Sequence, residues 1–172
     1  MRPEDEKTLT IARRTKKNLD YIYLKKSKGE DVEEFTQLLN STFGILICLR
    51  EDFIKGDNVS WEEVKNLGLI NEANKFENII GIKATQRSPK LKQVTSFSSL
   101  VTNLRHAFAH NCFELLIDSN SNKITGVTVW NIPTGDNNIT ENRVWQENIS
   151  KDNLKGIVYL VLNYVDKILG NL

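Results

Sequence analysis

The chain has 172 residues, 40% of them hydrophobic, and a formal charge of +1 at neutral pH. That length and apolar share suit one domain, residues 1–172, with a single core. The near-zero charge excludes polyanion binding by bulk electrostatics, although a local basic patch still acts over about one Debye length, roughly 8 Å at physiological salt. Two cysteines, Cys48 and Cys112, do not make a disulfide framework, and the apolar runs are too short to span a bilayer. The charged start Met1-Arg2-Pro3-Glu4-Asp5-Glu6 does not read as a signal peptide, so a soluble cytoplasmic protein is expected.

Residues 5–28 predict a helix. Leu9, Ala12, Leu19, Ile22 and Tyr23 recur on its apolar side, and Arg13, Arg14, Lys16, Lys17, Lys25, Lys26 and Lys28 make a basic face. That face reads mainly as solvated, with contact to RNA backbone as the alternative. Gly29 ends the helix. Asp31 is placed to cap a second helix, with Glu33 and Glu34 in its first turn. It runs to about Phe53, because Val32, Phe35, Leu39, Thr42, Leu46, Leu49 and Phe53 recur at steps of three and four.

Gly56-Asp57-Asn58 is a turn. Ser60-Trp61-Glu62-Glu63 looks like a capping box that opens a short helix ending near Gly68. Residues 71–89 read as a short helical piece and a basic loop. Pro89 then starts a helix that reaches about Asn111. Next, 113–118 and 123–132 are rich in β-branched and aromatic residues around Ser119-Asn120-Ser121-Asn122, which predicts a β-hairpin. Residues 133–142 read as a polar loop. Ser150 caps a last helix, with Asp152 in its first turn and a broad apolar face from Leu154 to Leu169. Trp61, Trp130 and Trp145 are read as core residues, with base stacking as the alternative.

The segment Arg105-His106-Ala107-Phe108-Ala109-His110 contains both histidines of the chain. No carboxylate occurs between Glu77 and Glu114, whereas Lys83, Arg87, Lys90, Lys92 and Arg105 all fall there. On a helical wheel Phe97, Leu100, Val101, Leu104 and Phe108 share the core side, and Asn103, His106 and His110 lie opposite. Arg105 and His110 stand about 140° apart at 100° per residue, so they meet at one phosphate only through arginine's reach or across two subunits.

Three readings remain open on these residues. His110 can do acid–base work on a phosphodiester while Arg105 holds the phosphate, since imidazole titrates near pH 6.5 and guanidinium fits phosphate oxygens as a fork. His106 and His110, four apart, can bind zinc with Glu114 as a third ligand. Or both histidines sit on a structural helix without chemistry. There is no glycine-rich phosphate loop, no Ser-His-Asp constellation and no Cys/His metal cluster.

The segment resembles the HEPN superfamily, the higher eukaryote and prokaryote nucleotide-binding domains, whose mark is R-x4-6-H with a polar residue after the arginine. Here that is Arg105, His106 and His110. Arg13 to Ile22, Glu34 to Leu46, and the run Ile124-Thr125-Gly126-Val127-Thr128-Val129-Trp130 are similar to the opening helices and the hairpin of small prokaryotic HEPN nucleases. The resemblance implies a mainly α, up-and-down helical bundle with a small β-hairpin after the motif helix. It further implies a homodimer whose motif helices meet at the two-fold axis, and a metal-independent endoribonuclease that needs no cofactor. Such an enzyme cuts RNA by 2′-hydroxyl attack, leaving a 2′,3′-cyclic phosphate, in a toxin–antitoxin, abortive-infection or phage-defence role. Arg105 and His110 are then catalytic, and His106, Asn103, Asn111, Arg87, Lys90 and Lys92 support them or contact RNA. The expected partners are RNA, a second copy of the chain and a cognate antitoxin. A non-catalytic dimerisation or RNA-binding module is the alternative.

Overall fold

The computed structural model of the chain describes residues 2–48, 59–70, 94–132 and 143–170. The distal end of the second predicted helix, the turn at 56–58, the stretch 71–89 and the loop 133–142 lie outside the described residues. The chain forms two compact units, one from Met1–Arg50 with Lys155–Leu172 and the other Glu51–Leu154.

The first unit is helical. Helix α1 spans Pro3–Ser27 and α2 spans Glu34–Cys48. Leu9, Ala12 and Leu19 of α1 are buried as expected, with Ile22 and Tyr23 half-buried; in α2 Phe35 and Leu46 are buried as expected, whereas Leu38 and Ile45 take the core positions and the expected Leu39 is half-buried. Each such aliphatic or aromatic side chain contributes about 1.5–3 kcal/mol when fully buried. Gly29 closes α1 at φ +79°: its N–H bonds to Lys26 O and the Glu30 N–H to Lys25 O, a Schellman closure. Asp31 does not cap α2. The first intrahelical bond runs from the Gln37 N–H to Glu33 O, so the boundary residue is Glu33 and Asp31 lies before it. Cys48 is half-exposed. Helix α5, Lys151–Leu169, starts where the Ser150 hydroxyl accepts the Asn153 N–H, and from Lys155 onward it belongs to this unit.

The second unit holds the motif. Helix α3, Trp61–Asn66, starts at Ser60, whose hydroxyl accepts the Glu63 N–H at 3.1 Å, and Gly68 closes it at φ +71°. Helix α4 spans Phe97–Ala109. It does not run on from Pro89. Residues 94–96 are not helical, and Ser96 is the cap: its hydroxyl accepts the Ser99 N–H while the Ser99 hydroxyl accepts the Ser96 N–H, a capping box made by two serines. Phe97 packs edge-on against Trp61 with ring centroids 6.0 Å apart.

The predicted hairpin is present as β1 (Phe113–Ile117) and β2 (Ile124–Asn131), antiparallel, with a register shift at Leu116/Ile117. A third strand, β3 (Trp145–Ser150), pairs with β2 to complete the order β1-β2-β3. The sequence pattern does not predict it, because only Trp145 and Ile149 of its six residues are large and apolar. Those two alternate with polar positions and are nearly fully buried. Gly126, opposite Ser150, allows the strands to close up, since a Cβ there would overlap the Ile149 carbonyl oxygen. Among the described residues no helix is long and apolar enough to cross a membrane.

Candidate active site

Helix α4 fixes the motif from its buried side. Phe97, Leu100, Val101, Leu104, Ala107 and Phe108 are at most 4% exposed, and the helix lies on β2. The core face is therefore the one the wheel predicts. On the other side Asn103 and Arg105 are half-exposed, and His106 and His110 are exposed. The two imidazole rings stand edge to face, with centroids 6.3 Å apart and planes at 89°. One helical turn separates them, as the spacing of four requires.

Three residues turn the chain from helix to strand. His110 is the cap residue, with φ −100° and ψ 11°. Asn111 follows in the left-handed region at φ +54°. The Asn111 N–H bonds to Phe108 O at 3.2 Å and the Cys112 N–H to Ala107 O at 2.7 Å. This is the closure that Gly29 and Gly68 make elsewhere, with asparagine in glycine's place, the commonest exception to glycine there. It holds the His110 backbone at the last turn while the ring stays in solvent. The Cys112 thiol points back to His110 O at 3.5 Å, and burial pushes its pKa up, partly offset by the nearby Arg143 guanidinium.

Asn103 is tied to the sheet. The Asn131 amide donates to both Asn103 O (3.1 Å) and Asn103 Oδ1 (3.0 Å) from a site only 7% exposed. Motif helix and β2 are thus locked in register by one side chain. Arg87, Lys90 and Lys92 lie outside the described residues. The two-histidine zinc reading needs a third ligand, and among the described residues no three His, Cys, Asp or Glu side chains are grouped to hold a metal ion. Glu114 is exposed on β1.

A family model described as HEPN pEK499 p136 matches residues 1–171. The chain belongs to this HEPN family. No curated protein and no solved structure matches it. The mainly helical architecture expected from the resemblance is the one this HEPN chain has, with the expected hairpin enlarged to a three-stranded antiparallel sheet.

Two residues of the motif's surroundings carry no signal in the sequence. Asn131 looks like one more strand residue, and only its pairing with Asn103 distinguishes it. Arg143 sits just before β3 with its guanidinium carbon 4.1 Å from the centre of the Trp130 ring, and it donates from Nη1 to Gln146 Oε1 at 2.7 Å. The Trp130 N–H bonds to Cys112 O at 3.0 Å, so the ring that Arg143 covers belongs to the residue paired with the end of the motif segment. The three tryptophans are core residues at 1–4% exposure, which leaves none of their faces open to a base.

Proposed function

We propose that residues 1–172 act as a single HEPN domain and form a metal-independent endoribonuclease that works as a homodimer. The observation that carries this reading is the presentation of Arg105, His106 and His110 on the solvent side of a helix whose other side is fully packed, in a chain of HEPN descent. A buried histidine pair would have spoken for a structural role.

The chemistry follows from the side chains. A 2′-hydroxyl of RNA loses its proton as its oxygen attacks the neighbouring phosphorus. The 5′-oxygen then leaves with a proton, giving a 2′,3′-cyclic phosphate and a 5′-hydroxyl. His110 moves the proton, a role usually worth about 10²–10⁴-fold in rate. Arg105 stabilises the negative charge that grows on the phosphoryl oxygens. His106, edge-on to His110, orients it or contacts RNA. The separation of about 140° between Arg105 and His110 favours a cleft shared by two subunits, each supplying one member of the pair. Toxin–antitoxin or phage-defence biology, with a cognate antitoxin as regulator, suits an RNase of this kind.

The test is cleavage of end-labelled RNA by the purified protein, with and without EDTA. The wild type should yield cyclic phosphate ends in either case. His110→Ala and Arg105→Ala should each lower the rate at least about 100-fold while the far-UV spectrum stays unchanged, because both side chains lie outside the core. Normal cleavage by His110→Ala would remove the catalytic assignment. RNA binding without any cyclic phosphate product would make the protein a binding module.

A further inference from the structure

We propose that a groove between α1 and α5 is a second RNA contact, seating a backbone phosphate away from the motif helix. This rests on the RNA-binding part of the reading above, though not on catalysis. The groove has a volume of about 270 Å³. That is slightly below the ~300–1,000 Å³ usual for small-molecule pockets, and it suits a phosphodiester better than a whole nucleotide.

Its base is apolar, from Ala12 and Leu162, each 1% exposed. Its walls carry Arg13, Lys16 and Lys17 against Asp20 and Asp166. Both carboxylates are engaged. Asp166 Oδ1 accepts from Arg13 Nε at 2.6 Å, and Asp20 Oδ1 accepts from the Tyr159 hydroxyl at 2.8 Å. Burial and the Asp20 carboxylate hold the Tyr159 phenol far above its ordinary range, so it remains a donor to Asp20.

Arg13 also lies close to the end of α5. Just past the end of α5 lies Gly170, where a Cβ would stand 2.8 Å from Arg13 Nη2. Lys16 and Lys17 form no ion pair with any described residue. Two lysines therefore line a groove in which Arg13 already pairs with Asp166, so that their charge exceeds that of the one remaining acid, Asp20. The arrangement suits an anion with several acceptor oxygens, and a phosphodiester supplies two unshared ones. Lysine serves such a contact as a point charge, without the fixed geometry of guanidinium.

The experiment is fluorescence anisotropy with a fully 2′-O-methylated single-stranded RNA, which the proposed chemistry cannot cut. Affinity is read across a salt series. Replacing Lys16 and Lys17 together by glutamine should weaken binding and flatten the slope of log K against log salt by about 0.7, the value for the one single-strand phosphate that the protein no longer neutralises. Lys7→Gln, an exposed lysine of α1 outside the groove, should leave the slope as it is. An unchanged slope in the double variant would overturn the proposal, as would an equal drop in Lys7→Gln. So would polyglutamate of matched charge binding as tightly as the RNA through the same two lysines. If the slope flattens but the wild type yields no cleavage product, the groove stands and the catalytic reading falls.

Discussion

At its N-terminus, α4 is fastened by polar groups that satisfy one another. Ser96 and Ser99 cap reciprocally, the Ser98 N–H bonds to Val59 O at 3.2 Å, and Ser98 itself is buried. At its C-terminus, backbone alone makes the closure, and the side chains of His106 and His110 are left in solvent. One end uses serine side chains to hold the helix; the other leaves histidine side chains exposed. Stability and the proposed activity are thereby separable along thirteen residues of one helix.

The largest stability change that probes this separation is at the clasp between helix and sheet. Asn131→Ala removes both bonds to Asn103 and should cost about 1–3 kcal/mol in urea unfolding. Cleavage measured well below the unfolding midpoint should persist. Loss of cleavage in a fully folded Asn131→Ala protein would show that Asn103 must be positioned for RNA as well as for the sheet. At the N-terminal end, Ser96→Ala should cost about 1 kcal/mol, the usual value of a serine cap, and should leave the cleavage rate of folded protein alone. The smallest effect belongs to Asn111→Gly. Glycine accepts the left-handed backbone, so stability should stay within a few tenths of a kcal/mol, whereas Asn111→Ala should lose about 1–2 kcal/mol. If Asn111→Gly cuts RNA normally, the residue serves the turn. A folded Asn111→Gly protein without cleavage would return Asn111 to the RNA contacts.

How legible each part of the chain is depends on how local its signal is. Gly29 and Gly68 mark helix ends through their backbone conformation and Ser60 through its hydroxyl, and the helices begin and end beside them. The core face of α4 follows from spacing alone, since five apolar side chains recur on one side of it. The start of α4 differs from expectation because Pro89 is a strong N1 signal, while Ser96-Phe97-Ser98-Ser99 caps with a serine where glutamate is usual. Strand β3 is hidden because its pairing with β2 is a long-range event, and Gln146, Glu147, Asn148 and Ser150 make a polar string. Of the candidate site, Arg105, His106 and His110 are legible as a pattern. The tie from Asn131, the backbone task of Asn111 and the position of Arg143 depend on contacts across the sheet, which spacing does not encode.

The joint between Ala109 and Phe113 has a consequence for how this protein can vary. His110, Asn111 and Cys112 each have a committed backbone N–H, and Cys112 O is already paired with Trp130. One inserted residue would either turn the imidazole by about 100° around the helix or send every β1 side chain to the opposite face of the sheet. Insertions and deletions are therefore barred from these three positions, while the solvent turn around Asn120 has room for them. In this lineage the reach of the motif histidine and the phase of the first strand must be inherited as a single unit.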